Sequence, residues 1–329
     1  MSNTVIKNVI TIGASAGGIA AVSRLVAGFN ATFDAAIFIV IHVSRNSLSD
    51  VILHEIQRRT KLICLIPEDG QIIENSTIYL APADHHMMLA GGNISIKKGA
   101  FENHWRPSID VLFRSAAAAY SNCVTGIILT GLLDDGTSGM SAIKRSGGRS
   151  IIQDPAEADF PDMPKSVLSN MEVDYKVSID EMGYILSDLY SREECNVAHV
   201  PDDVKLEAEI TLRMSSNVED LEKLGSFTPF TCPDCGGTLV KVETDEVPRY
   251  RCYTGHSYTQ KSLEESQIKS LEESLWVAIR MMEERKNLLI AMNTHKEPTK
   301  VEMASQIKIH IERLKKMMLD LGNNAEVIN

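Results

Sequence analysis

Up to about residue 190, short uninterrupted apolar runs alternate with longer stretches in which apolar residues recur every three or four positions. The runs near 7–12, 36–42, 124–130 and 149–153 are rich in Ile and Val, as strands buried on both faces are. Helical spacing predicts helices near 17–28, 47–58, 108–120, 136–146 and 179–190. The alternation predicts an α/β fold, a mostly parallel sheet with helices on both faces. Between 62 and 98 the runs shorten and turn signals crowd in (Glu68-Asp69-Gly70, Glu74-Asn75, Gly91-Gly92-Asn93), predicting a hairpin insertion in the sheet or at its edge.

The pattern changes three times beyond this first domain, 1–190. Residues 191–226 are polar and acid-rich and read as an acidic linker with one short element near Val204–Leu212. Residues 227–262 carry Cys232-x2-Cys235, then Cys252-x3-His256, around a hairpin-like stretch. Residues 263–329 hold two helical apolar stripes, Ile268 to Met292 and Val301 to Leu321, split by Glu297-Pro298. They predict an amphipathic helical hairpin or coiled coil, suited to intrachain packing, to self-association or to docking on a partner helix bundle.

In parallel sheets ligands bind beyond the carboxyl ends of the strands. Three polar residues stand there: Ser15 after the first strand, in Gly13-Ala-Ser-Ala-Gly-Gly18; His42 after the second; and Asp135, in Leu129-Thr-Gly-Leu-Leu-Asp-Asp135-Gly. Singly each has a plainer reading. Ser15 suits a helix N-cap, His42 a polar strand end, and either Asp134 or Asp135 another cap. Together they supply the nucleophile, base and acid of a Ser-His-Asp hydrolase.

Six ordered motifs then bear on the identity of the domain. Gly13–Gly18, Ile41-His42, Ala81-Pro-Ala-Asp-His-His86-Met, Arg106-Pro-Ser-Ile-Asp-Val-Leu-Phe113, Leu129-Thr-Gly131 with Asp135-Gly136, and Gln153-Asp-Pro-Ala with Met163-Pro164 resemble the CheB family over about residues 5–190. These are the protein-glutamate methylesterases of bacterial chemotaxis. The resemblance implies Ser15 as nucleophile, His42 as base and Asp135 as acid, with no cofactor for catalysis. It implies hydrolysis of γ-glutamyl methyl esters on the cytoplasmic helices of chemoreceptors, with deamidation of receptor glutamines in some members. The N–H of Ala16 or Gly17, at a helix start, and a second from the 131–135 turn at Leu132 are candidate oxyanion donors. His86 and Arg106 are candidate substrate contacts, with structural roles equally open.

Many members carry Thr after the nucleophile and Met-Gly after Leu-Thr-Gly; this chain has Ala16 and Leu132-Leu133. The usual receiver domain is expected to be absent, because the Ser15 strand falls within the first dozen residues. Control would then come from a separate receiver protein or from the C-terminal segments.

Composition narrows the rest. The 329 residues are 44% hydrophobic and 23% charged, with a net charge of −11, which argues against nucleic acid and anionic membrane surfaces as partners. No apolar run is long enough for membrane insertion, and Met1-Ser-Asn-Thr shows no secretory signal, so a cytoplasmic location is expected. Cys64, Cys123 and Cys195 look isolated, whereas Cys232, Cys235, Cys252 and His256 suit a structural zinc in a ribbon-like module. A nucleotide enzyme is disfavoured: no tyrosine has Lys four residues on, and the glycine turn lacks Gly-Lys-Ser/Thr. The remaining alternative is a non-catalytic signalling scaffold that keeps the fold.

Overall fold

The computed structural model describes residues 8–31, 33–192, 198–245, 247–292 and 297–326. These form two compact units, 1–262 and 263–329. The first unit begins with β1 (Val9–Ala14), α1 (Gly18–Ala27), β2 (Ala36–Ile41), α2 (Ser49–Gln57), β3 (Ile63–Leu65), β4 (Thr77–Leu80), β5 (His86–Ala90) and β6 (Asn93–Lys97). It continues through α3 (Ile109–Tyr120), β7 (Val124–Ile128), α4 (Thr137–Arg145), β8 (Arg149–Gln153), α5 (Asp162–Asn170), β9 (Tyr175–Val177) and α6 (Ile179–Arg192).

Seven strands make a parallel sheet in the order β3-β4-β2-β1-β7-β8-β9. β1 and β2 are buried along their whole length, and the two sheet faces carry separate apolar clusters. One cluster packs Leu112, Phe113 and Met140 against Phe38 and Val40; the other packs Val22, Leu25 and Leu186 against Ile10, Ile12 and Ile37. Strands covered on both faces need apolar residues at every position, which is why these runs do not alternate. The expected hairpin is β5–β6, an antiparallel pair outside the main sheet, while β3 and β4 extend the sheet itself.

The stretch expected to be an acidic linker differs. Residues 202–224 form α7 (Asp202–Arg213) and α8 (Val218–Leu224), with Val204, Glu207, Ala208, Ile210 and Leu221 buried. Its acidity has internal partners: Asp203 makes a two-pronged pair with Arg145 (2.7 and 2.8 Å), and Glu207 another with Arg249 (2.7 and 2.8 Å). A four-stranded antiparallel sheet follows, β10 (Gly225–Thr231), β11 (Thr238–Val242), β12 (Arg249–Cys252) and β13 (Ser257–Thr259). This ribbon belongs to the same compact unit as the parallel sheet.

Charge joins the two. On β12, Arg249 and Arg251 point to one side, as residues two apart on a strand do. Arg251 Nη1 donates to Glu102 (3.1 Å), Arg114 of α3 donates to the other Glu102 oxygen (3.0 Å), and Arg249 grips Glu207. All five side chains are at least 98% buried. Burial alone would raise the Glu207 carboxyl, but Arg114, Arg249 and Arg251 outweigh it and hold it far below the carboxylate range.

In the second unit α9 (Gln260–Ala291) and α10 (Pro298–Glu326) form a helical hairpin, with Ile279, Ala304 and Ile311 buried and a Lys315–Glu283 ion pair. No helix among the described residues is long and apolar enough to cross a membrane. Cys123, which looks isolated in the sequence, is disulfide-bonded. Cys195 lies outside the described residues.

Candidate active site

The parallel register brings Ser15 and His42 together. Ala14 pairs with Ile41, and the His42 N–H donates to the Ala14 carbonyl (3.0 Å), so the next residues on β1 and β2 emerge side by side. On the other flank the Ser15 N–H donates to Thr130 O (3.0 Å), just beyond β7. Ser15 is partly exposed, while the His42 ring is enclosed. Gly17 takes φ 74° and caps α1 without a side chain; a Cβ there would press on Asp159 Oδ2 and Thr130 Cγ2, both at 3.2 Å.

Asp135, 1% exposed, receives five hydrogen bonds. His42 Nε2 lies 2.8 Å from Oδ2, and the Ile109 N–H donates to the same oxygen (2.7 Å). Ser108 Oγ (2.9 Å), Asn103 Nδ2 (3.2 Å) and the Asp110 N–H (3.3 Å) donate to Oδ1. The carboxylate therefore sits on the N-terminus of α3, where free N–H groups and the helix dipole favour negative charge. Burial pushes its pKa up, but the bonds from His42, Ile109 and Asn103 prevail and hold it below the usual range. Its neighbour Asp110 goes the other way: burial, then the Asp135 charge, raise it well above the usual value. Of the two candidate aspartates at 134 and 135, Asp135 is the one bonded to the histidine.

The His42 tautomer follows. An ionised carboxylate only accepts, so Nε2 carries the proton and Nδ1 presents a lone pair. Nδ1 is buried and has no hydrogen-bond partner among the described residues. Trp105 fixes the ring plane from one side, stacked with centroids 4.0 Å apart and planes 7° from parallel. Among the described residues, the N–H groups of Ala16, Gly17 and Leu132 enter none of the backbone hydrogen bonds outside helices and strands.

His86 and Arg106 are both held by internal partners, His86 fully buried and Arg106 half-buried. His86 is fully buried; Ser108 N–H donates to its Nδ1 (3.2 Å) and its Nε2 donates to Ala100 O (2.8 Å). Burial lowers its pKa, so the neutral ring braces the turn that delivers Ser108 to Asp135. Arg106 is held by Asp84 (Nε 3.0 Å) and Gly99 O (2.6 Å) and lies over the Phe101 ring. Sequence reasoning did not single out Asn103, Trp105 or Ser108. Only Ser108 carried a signal, as a residue of the right type just before a helix.

In the ribbon, the ligand atoms of Cys232, Cys235, Cys252 and His256 lie within 4.8 Å of one another. Cys235 and Cys252 Sγ are 3.7 Å apart, and His256 Nδ1 is 3.6 Å from Cys232 Sγ and 3.5 Å from Cys252 Sγ. Tetrahedral zinc with Zn–S near ~2.3 Å and Zn–N near ~2.0 Å has ligand edges of about this length. The donor set therefore fits a closed structural metal.

Residues 10–186 match the family model described as CheB methylesterase. The chain is 34% identical over 178 residues to a putative protein-glutamate methylesterase/protein-glutamine glutaminase of Leptospira interrogans serovar copenhageni, covering 53% of this chain and 90% of that one. It is 31% identical to protein-glutamate methylesterase/protein-glutamine glutaminase 2 of Methanosarcina mazei, over 54% of this chain and 51% of the relative. The crystal structure of the Thermotoga maritima CheB methylesterase catalytic domain superposes with a TM-score of 0.54 at 28% identity, over 56% of this chain and all of that one. The matched region spans the parallel sheet and every strand end from which Ser15, His42 and Asp135 project, and by that match the chain belongs to the CheB methylesterase family.

Proposed function

We propose that this protein is a serine hydrolase that removes methyl esters from glutamyl side chains of methylated chemoreceptor helices in the cytoplasm, and that it deamidates receptor glutamines at the same site. The observation that carries the reading is His42: Nε2 rests on a buried carboxylate while Nδ1, at the strand end next to Ser15, is buried with no partner among the described residues.

Ser15 Oγ attacks the ester carbonyl as its proton passes to His42 Nδ1, and Asp135 stabilises the imidazolium that forms. The tetrahedral oxyanion takes N–H donors from Ala16 or Gly17 and from Leu132. The His42 proton then goes to the departing methoxide, releasing methanol and leaving an acyl ester on Ser15. Water, deprotonated by His42, hydrolyses that ester and regenerates the serine. An amide leaving as ammonia follows the same path.

The Cys232, Cys235, Cys252 and His256 set would hold zinc as a structural ion; with no free ligand position it would supply fold stability and no chemistry. To 263–329, where Trp276, Met281 and Leu319 are exposed, we assign contact with partners, by self-association or with a separate receiver protein.

The test is labelling with a fluorophosphonate together with methanol release from methylated receptor. The reading requires labelling at Ser15 that His42→Ala abolishes, and no methanol from Ser15→Ala. An unlabelled wild-type protein would leave the non-catalytic scaffold standing.

A further inference from the structure

One tight turn touches both proposed partners of Ser15. Glu102 and Trp105 exchange backbone hydrogen bonds (2.9 and 3.3 Å) across Asn103 and His104, which take φ 49° and 68°. Trp105 stacks on His42, and Asn103 Nδ2 donates both to Asp135 Oδ1 (3.2 Å) and to Asp110 Oδ2 (2.8 Å). Two successive non-glycine residues at positive φ persist only where their surroundings hold them.

The holding groups come from the ribbon. Ser257 of β13 pairs with the turn on both sides: its N–H donates to Phe101 O (3.4 Å) and its carbonyl accepts from Asn103 N–H (2.9 Å). The Thr259 N–H donates to Asn103 Oδ1 (3.0 Å), which fixes the amide orientation and turns Nδ2 toward Asp135. Arg251 of β12 clamps Glu102. The β12–β13 hairpin that presents these groups is closed by Cys252 and His256, and His256 directly precedes Ser257.

We propose that Asn103 is a positioning residue for Asp135 and that the Cys/His ribbon holds it there, so that a metal bound by Cys232, Cys235, Cys252 and His256 sets the competence of Ser15. The inference rests on the hydrolase reading. It makes the ribbon part of the active-site support and metal loading a determinant of activity, although the ion meets no substrate.

The readouts are the rate of Ser15 labelling by a fluorophosphonate, its pH profile on a small aryl ester, and bound metal per chain. They are taken on the full chain carrying Asn103→Ala, Cys235→Ser or both. The titratable groups facing Asp135 are His42, Asp110 on α3 and the buried His86 of β5. Losing the Asn103 donor leaves Asp135 more basic, so the acid limb of kcat/KM moves to higher pH. Labelling and kcat fall about 10- to 100-fold, the effect of one charge-assisted hydrogen bond. Asn103→Ala keeps its metal. Cys235→Ser loses it, shows the same displaced acid limb, and adds little to Asn103→Ala in the double variant.

A merely structural loss of folded protein would lower the amplitude without moving the acid limb. Should Asn103→Ala be poorly folded, metal-stripped wild type with intact far-UV circular dichroism provides the same comparison on re-addition of zinc. Normal wild-type labelling that neither Asn103→Ala nor metal loss alters, in rate or pH profile, would overturn the inference alone. Additive effects in the double variant would overturn the link through Asn103. Absence of labelling in the metal-loaded wild type would overturn the hydrolase reading and the inference with it.

Discussion

His42 and Trp105 lie face to face, centroids 4.0 Å apart and planes within 7° of parallel, while the ring edge of His42 is bonded to Asp135 at 2.8 Å. An imidazole fixed by one hydrogen bond can still tilt about that bond; the indole removes this freedom. Trp105→Ala should lower kcat about 10-fold with little change in KM, since misorientation of a base costs rate before binding. Trp105→Phe, which restores a smaller face, should recover most of the loss. Steady-state kinetics on a small ester checks both.

Asp110 and Asp135 share the Asn103 amide yet respond oppositely to their surroundings. Asp135, held below its ordinary value, adds stability above the unfolded carboxyl pKa of about 3.9, lost as pH falls through its folded value. Asp110, pushed up by burial and by Asp135, does the reverse: the native state keeps a proton that the unfolded chain releases, so its contribution weakens as pH rises above about 4. Each pH unit over which only the native state holds that proton costs about 1.4 kcal/mol. Asp110→Asn should therefore gain stability relative to wild type between pH 4 and pH 8. Paired thermal melts across that range measure it; a constant difference would contradict the assignment.

Gly131 is a steric condition on the nucleophile. A Cβ at this position would lie 2.8 Å from Ser15 Cβ and would overlap the sulfur of the buried Met163. Gly131→Ala should displace Ser15 and cut fluorophosphonate labelling about 100-fold, the order expected for a shift near ~1 Å at a reacting atom. The fold should survive, as a melting curve would show.

Glu207 faces Arg249 in a two-pronged pair, with Arg251 and Arg114 within 3.4 and 3.7 Å. Removing one partner of such a buried set leaves positive charge without compensation. Glu207→Gln should cost about 3–5 kcal/mol of unfolding free energy, read by urea denaturation. Replacing Asp203, the outer partner of Arg145 on the same helix, should cost about 1 kcal/mol or less.

Strands such as Val9–Ala14 and Ala36–Ile41 were legible because burial on both faces demands an unbroken apolar run, and few other structures do. The positions of Ser15, His42 and Asp135 were legible for a topological reason, the opening of parallel sheets at their carboxyl ends. Helix α7 was not. Its Glu207 reads as a solvated charge in any local window, and the arginines that bury it come from far along the chain, from β12 more than forty residues on and from Arg114 of α3. Asn103 and Trp105 sit in an aperiodic turn whose shape is imposed from β13, so no spacing rule reaches them. His86 and Arg106 were found through their motifs. Motif membership did not distinguish a group facing substrate from one that braces a turn; full burial marks His86 as the latter.

The clamp between Arg251 and Glu102 has a practical corollary for handling this molecule. The match to the CheB methylesterase family model ends at residue 186, an inviting place to trim a shorter expression fragment. A fragment ending there would carry Glu102 and Arg114 with their shared shell stripped off, and its Asn103 turn would lack the strand against which it is moulded. The smallest piece that retains these supports ends near Ser262, well past the end of the family match.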